Sequence, residues 1–193
     1  MKTLDEYLKD AEQAHGHLCA GQVLGVRLAM LGLEKLGIDD PRGADRKRLV
    51  TFVEIDRCAT DAVAVVTGCR LGKRALKFRD WGKVAATFLD VSTGKAVRIA
   101  ARESSKARAR QMHPEIEHKN QQQMLAYREM PAGDLFDVQW VKVALGPEEF
   151  PGYKGERVVC AQCGEGINFR REVQKDGLTL CRACAGERYY ETI

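Results

Sequence analysis

The sequence contains no long hydrophobic run, and it is poor in proline and in aromatic residues. No apolar stretch approaches the roughly 18 residues that a membrane span requires. Five prolines among 193 residues, with 45% hydrophobic and 30% charged residues, exclude a disordered or low-complexity chain. The first residues, MKTLDEYLKDAEQ, are acidic and amphipathic, unlike a secretory signal. We therefore expect a globular cytoplasmic protein without membrane association.

Positive and negative charges nearly balance over the whole chain, but they are unevenly distributed along the sequence. The formal net charge is +4, yet residues 70–110 hold twelve lysines and arginines against Asp80, Asp90 and Glu103. Such a basic segment suits an anionic ligand or nucleic acid. It is equally typical of the solvated outer face of a sheet, so charge alone leaves both interpretations open.

Hydrophobic periodicity predicts helices and strands in separate groups. The predicted helices are residues 4–15, 20–36 and 58–67, ended by glycines, and a polar helix at 114–130 that Pro114 opens. The predicted strands are residues 49–55, 75–79, 83–89, 95–102 and 137–145. The short loops DWG and DVSTG predict that strands 75–79, 83–89 and 95–102 are antiparallel neighbours. The fold class is thus α+β, an antiparallel sheet with packed helices.

The chain divides at a stretch rich in proline and glycine. Residues 147–155, PEEFPGYKG, are typical of a linker. We predict an α+β core domain over residues 1–150 and a small zinc-finger domain over 156–193.

Seven cysteines, an odd number, favour metal ligands or reactive thiols over disulfides in a reducing compartment. Two CxxC pairs, Cys160/Cys163 and Cys181/Cys184, have the spacing of a four-cysteine zinc site. Four thiolates close a tetrahedron, so this zinc would be structural. The segment resembles the DksA/TraR type of finger, which implies a treble-clef-like fold, and its balanced charge makes nucleic acid an unlikely partner.

A second group of candidate ligands lies between the first two predicted helices, in HGHLCAG. His15 continues the apolar stripe of the first helix and is interpreted as a packed core residue. His17 and Cys19 are candidates for metal binding or catalysis, since Cys19 would begin a buried helix whose N–H groups stabilise a thiolate.

Cys58 and Asp61 share one face at the start of the predicted helix 58–67. Cys58 joins His17 and Cys19 if the two helix N-termini converge, whereas Cys69 lies roughly 16 Å further along the helix axis. The helix N-terminus and Arg57 predict that Cys58 has the lowest pKa of the three core cysteines. Cys69 follows the C-terminal, negative end of that helix and is predicted to stay protonated.

Three segments resemble the formylmethanofuran dehydrogenase E-subunit family, molybdenum type: HGHLCAGQVLGVRLA, RCATDAVAVVTGCRLGKRAL and RDWGKVAATFLD. Arg70 departs from the threonine usual in that family. The resemblance implies an α+β core, frequently a dimer, with a metal site or reactive centre near His17, Cys19 and Cys58. Some members carry a C-terminal zinc finger. The family name reflects gene association with the molybdenum enzyme of methanogens.

Three functional hypotheses follow. The first is a metalloprotein whose core binds zinc, nickel, copper or iron, acts as an accessory to a molybdenum or tungsten oxidoreductase and forms a homodimer. The second is a zinc-finger regulatory or nucleic-acid-associated protein. The third is a thiol enzyme with Cys58 or Cys19 as nucleophile, His17 as base and Asp61 as orienting carboxylate.

Overall fold

A five-stranded sheet and the helices packed against it form the first of two units in the computed structural model, which describes all residues from Met1 to Ile193. This unit is Met1–Val143. Its helices are α1 Leu4–His15, α2 Ala20–Leu36, α3 Cys58–Thr67, α4 Ser104–Met112, α5 Lys119–Glu129 and α6 Ala132–Leu135. Its strands are β1 Leu49–Val53, β2 Leu76–Phe78, β3 Ala85–Asp90, β4 Ala96–Ala101 and β5 Phe136–Val141.

The second unit, Ala144–Ile193, consists of two small hairpins and a helical turn. Its strands are β6 Val158–Val159, β7 Gly166–Ile167, β8 Val173–Lys175 and β9 Leu178–Leu180, and the turn is Ala183–Glu187. The α+β class is confirmed. No helix of the chain combines the length and the apolar composition that a membrane span requires.

The first three helices form where the sequence predicts them, because their end signals are local. Thr3 caps α1 in a capping box: its hydroxyl accepts from the Glu6 N–H, and its own N–H donates to the Glu6 carboxylate. Gly16, Gly37 and Gly68 end the three helices with φ of 93°, 63° and 69°, the left-handed region in which glycine is unstrained.

Helix α2 is the central element, and two of its glycines allow close approach on different faces. A Cβ on Gly32 would lie 2.2 Å from the Phe88 ring of β3. A Cβ on Gly25 would lie 2.4 Å from the Ala59 carbonyl oxygen of α3. Since α2 contacts both the sheet and α3, its N-terminus is fixed against the start of α3.

The sheet is mixed, and the predicted pairing of β2 with β3 is wrong. The strand order is β2-β1-β3-β4-β5, with β1 and β2 parallel and the other pairs antiparallel. Helix α3 crosses over from β1 to β2 and makes them parallel. The loop after β2 then passes the end of β1, where Arg79 N–H donates to the Val53 carbonyl and the N–H groups of Trp81 and Lys83 donate to the Glu54 carbonyl. The predicted β3–β4 hairpin is present.

The polar helix predicted at 114–130 is present as α5, but its predicted start is wrong, because Pro114 lies in the turn between α4 and α5 and the helix begins at Lys119. The Gln122 side chain donates to the carbonyls of His113 and Ile116, which stabilises the turn. His118 caps α5 by accepting from the Gln121 N–H at 3.4 Å. Helix α4 was not predicted, and the strand predicted at 137–145 is β5.

A buried carboxylate at the end of β3 connects to the basic side chain before β1. Asp90 is 1% exposed and accepts hydrogen bonds from Arg48 at 2.7 Å and from the Ser92 hydroxyl and N–H at 2.6 and 2.9 Å. Burial alone would raise the pKa of Asp90, but these hydrogen bonds outweigh it and hold the pKa well below its usual range.

We expect Asp90→Asn to reduce stability at neutral pH and to flatten the loss of stability in acid. Asp90 contributes stability above its unfolded pKa of about 3.9, and this contribution is lost as the pH falls through the lower folded pKa, by up to about 1.4 kcal/mol per pH unit. The free energy of unfolding in urea, measured between pH 7 and pH 2, gives this contribution. Asp80→Asn, at an exposed aspartate, is the control and should keep the wild-type acid dependence. An unchanged acid dependence in Asp90→Asn would contradict the assignment.

Candidate metal centres

The four finger cysteines lie together at the two hairpins of the second unit. Cys160 and Cys163 lie between β6 and β7, Cys181 directly follows β9, and Cys184 lies in the helical turn. The four Sγ atoms are all within 4.8 Å of one another. The sulfur atoms of Cys163 and Cys181 are 3.9 Å apart, which matches the edge of roughly 3.8 Å in a tetrahedron of Zn–S bonds of about 2.3 Å.

The electrostatics of these thiols favour a bound cation. The backbone N–H groups of Cys163 and Cys181 lower the pKa of Cys160 to about 6. The neighbouring sulfur of Cys181 and burial raise the pKa of Cys184 to about 12. Four thiolates in contact repel one another, and a divalent metal removes that repulsion by coordination. The donor set therefore fits zinc in a closed, structural site.

The core cluster is formed where α1 ends and α2 begins. His15 is the last residue of α1, Cys19 is the N-cap of α2, and His17 lies in the short connection. One ligand atom from each residue lies within 4.8 Å of the other two. The two imidazole rings are 4.7 Å apart between centroids. The structure thus adds His15 to the predicted pair of His17 and Cys19.

Asp61 orients one imidazole of this cluster. Its carboxylate lies 2.8 Å from Nδ1 of His15, so Nε2 is the His15 nitrogen that remains for a metal. The sequence assigned Asp61 to orient His17, whereas the structure places it on His15. A carboxylate of this kind fixes the tautomer and the ring orientation of a histidine ligand.

Cys58 lies beside the cluster because the N-termini of α2 and α3 converge. A Cβ built on Gly21 would lie 3.1 Å from the Cβ of Cys58 and 3.6 Å from Sγ of Cys19. The Gln22 side chain donates to the Cys58 carbonyl at 2.8 Å. The Cys19 thiol is among the groups that raise the pKa of Cys58, but the Cys58 sulfur lies outside the group of three ligand atoms. Its assignment as a ligand stays a prediction.

The predicted low pKa of Cys58 is wrong. Burial and the neighbouring Cys19 thiol raise the pKa of Cys58, and the positive charge of Arg57 does not compensate. Burial raises the pKa of Cys69 as well, which agrees with the prediction that this thiol stays protonated but gives it a different cause. Cys69 is 2% exposed, and its sulfur contacts the Thr51 hydroxyl at 3.5 Å, away from the cluster.

Two residues beside the site were missed by the sequence analysis. Asn120 of α5 accepts a hydrogen bond from the Ala20 N–H at 2.9 Å and so caps the start of α2. Gln22 is fully buried, and its Oε1 has no hydrogen-bond partner. No local pattern could have identified Asn120, because it lies 100 residues from its partner.

Comparison with known proteins identifies the two units. The family described as FmdE, molybdenum formylmethanofuran dehydrogenase operon, matches residues 14–137. The chain belongs to this FmdE family. Residues 153–190 match the prokaryotic dksA/traR C4-type zinc finger, so the finger prediction is confirmed. The chain is accordingly a metal-binding FmdE-family protein with a C-terminal four-cysteine finger.

One curated relative and one solved structure resemble the whole FmdE-family chain. A probable S-adenosyl-L-methionine-binding protein of Archaeoglobus fulgidus is 32% identical over 96% of this chain, which spans 54% of that protein. A tungsten formylmethanofuran dehydrogenase FmdE-like protein of Syntrophus aciditrophicus has a TM-score of 0.66 and 24% identity, covering 98% of this chain and 96% of its own. This structural likeness shows a common fold.

Proposed function

We propose that this protein is a metal-binding accessory of a molybdenum or tungsten oxidoreductase, with a transition metal in the core and a structural zinc in the finger. The observation that carries the proposal is the placement of His15, His17 and Cys19 with their ligand atoms within 4.8 Å of one another. Mixed nitrogen and sulfur donors suit zinc, nickel, copper or iron. The accessory role is supported by the family description, which refers to the operon of the molybdenum enzyme.

The residues in and around the cluster would have different roles in metal binding. His15, His17 and Cys19 supply donors, Asp61 fixes the His15 ring, and Asn120 holds the first N–H of α2. A metal bound by three protein ligands can act as a Lewis acid at an open fourth position. Cys58 is the nearest thiol to that cluster and the predicted further ligand.

The test is metal content of the full chain purified without oxygen, with positions from element-specific anomalous diffraction. We expect two metal ions per chain, and only the finger metal in His17→Ala. His113→Ala is the matched control, because this histidine contacts Glu115 and Glu129 instead of the cluster. A second metal that His17→Ala retains would remove His17 from the site, and wild-type protein with finger metal alone would refute the core centre.

We expect Asp61→Asn to weaken core metal binding by about 10–100-fold, because the His15 ring loses its orienting carboxylate. The Asp61 side chain is 60% exposed, so the fold should not depend on it. Competition with a chromophoric chelator measures the affinity, and the d–d spectrum of bound Co²⁺ reports the changed geometry. Asp56→Asn, at an exposed aspartate just before α3, is the control. Equal affinities in the two variants would contradict the role of Asp61.

The homodimer is also a proposal, supported by the edge of the sheet. Strand β5 pairs with β4 alone, and its Val138 and Trp140 are 41% and 60% exposed. A second copy would cover this edge. Sedimentation equilibrium should give a dimer at micromolar concentration, and Trp140→Glu should weaken it. A wild-type monomer would contradict the proposal.

The accessory role is tested separately. We expect the protein to co-purify with a molybdenum or tungsten oxidoreductase from an anaerobic host.

A further inference from the structure

Two cysteines lie on either side of Gly21, at the start of two different helices. Cys19 is the N-cap residue of α2, and Cys58 is the first residue of α3. A methyl group at position 21 would lie 3.1 Å from the Cys58 Cβ and 3.6 Å from the Cys19 sulfur. Glycine at this position therefore leaves the two side chains free to approach each other, and the Cys19 thiol is among the groups that raise the pKa of Cys58.

Outside the finger, these are the two cysteines that have another cysteine beside them and are accessible to solvent. Both are half-buried, so a small reagent can reach them. Cys69 is 2% exposed and has no cysteine beside it, since it contacts Thr51 and the Leu49 carbonyl. The four remaining cysteines belong to the zinc finger.

The backbone around the pair is already held in place. The Gln22 side chain donates to the Cys58 carbonyl, and α2 approaches α3 closely at Gly25. A bond between the two sulfurs would therefore join two helix starts that already pack together. Disulfides that require little backbone movement form without large strain.

We propose that Cys19 and Cys58 are a redox-active dithiol that exchanges with low-molecular-weight disulfides, and that the resulting disulfide excludes metal from the core centre. This inference rests on the proposed function, because Cys19 is the sulfur ligand of that centre. Metal binding requires a free thiolate, and a sulfur bonded to another sulfur has none to offer. The core would then hold metal in a reducing cell and lose it under disulfide stress, while the finger keeps its zinc.

The reaction is ordinary thiol–disulfide exchange with two cysteines of one chain. The thiolate of Cys19 attacks the disulfide RSSR, the S–S bond of RSSR breaks, and RS⁻ leaves and takes up a proton. Cys58 then attacks the Cys19 sulfur of the mixed disulfide, and the second RS⁻ leaves as RSH. In total the two protein thiols lose two electrons and two protons, which reduce RSSR to two molecules of RSH.

The experiment uses the full chain with zinc in the finger and the core free of metal, treated with oxidised glutathione without oxygen. After alkylation, peptide mass spectrometry should show a Cys19–Cys58 disulfide. Once glutathione is removed, Co²⁺ titration should give core binding weaker by at least roughly tenfold than in reduced protein, with recovery after dithiothreitol. Cys69→Ala, at the isolated buried thiol, is the matched control and should behave like the wild type.

Cys58→Ser separates the two steps of the exchange. It should stop at a mixed disulfide of glutathione with Cys19, because the second thiol is missing, and circular dichroism checks that the variant is folded. Wild-type protein that stays reduced, or keeps the mixed disulfide, would overturn the dithiol. A disulfide that leaves Co²⁺ affinity unchanged would overturn metal exclusion. If reduced protein binds no Co²⁺ in the core, the proposed function fails. The mass spectrum of the oxidised protein still shows in that case whether Cys19 and Cys58 form a disulfide.

Discussion

Removal of zinc from the finger should unfold residues 156–193 and leave the first unit folded. The hydrophobic cluster of the second unit has only Cys160, Ile167 and Leu180 as buried members, which is too little to fold so short a segment unaided. Metal binding by four cysteines supplies about 10–16 kcal/mol in zinc-finger peptides. Hydrogen exchange of the full chain, before and after chelation, should show protection lost in 156–193 and kept in α2 and β3.

A variant of one ligand tests the same dependence without a chelator. Cys163 is the exposed member of the four, so Cys163→Ser removes a ligand and little packing. Its neighbour in the same turn, Gln162, is exposed and provides the control Gln162→Ala. We expect Cys163→Ser to lose the finger metal and the protection of β6 to β9, while the control keeps both. Full protection in metal-free protein would show that the unit folds without zinc.

The sequence predicts the elements whose signals are local, and it fails where distant strands select their partners. The boundaries of α1, α2 and α3 follow from Thr3 and from glycines that directly end each helix. The pairing of β2 with β1 depends on the crossover through α3, which loop length does not reveal. The late start of the helix predicted at 114–130 depends on the Gln122 side chain, whose hydrogen bonds to two carbonyls hold the preceding turn, an arrangement without a sequence signature.

The same limit applies to the two metal centres. The finger follows from the spacing of four cysteines within 25 residues, and the local HGHLCAG pattern indicates His17 and Cys19. Asp61 lies 46 residues from His15 in the sequence. Whether its carboxylate contacts His15 or His17 depends on how α3 packs against α1. The pKa of Cys58 shows the competition in physical terms. The helix N-terminus and Arg57 favour the thiolate, but burial and the neighbouring Cys19 oppose it and prevail.

Gly25→Ala should be among the most destabilising single substitutions in the chain and should also impair the core centre. A Cβ at this position would lie 2.4 Å from the Ala59 carbonyl oxygen and 2.8 Å from both the Ala59 Cα and the Ala62 Cβ. Two of these atoms are backbone, so the clash cannot be relieved by a rotamer change, and α2 and α3 must separate. Overpacking of this kind costs about 1–3 kcal/mol or more, and we expect about 3 kcal/mol by urea unfolding.

The displacement should reach the metal centre because Cys19 and Asp61 lie on the two helices that would be forced apart. We therefore expect core Co²⁺ binding to weaken in Gly25→Ala while finger zinc is retained. Gly133→Ala is the matched control: a Cβ there meets nothing within 4 Å, and alanine favours the α6 turn by up to about 1 kcal/mol. If Gly25→Ala had the stability of the control and bound Co²⁺ normally, the close contact of α2 with α3 would not be what positions Cys19 and Asp61 at the core centre.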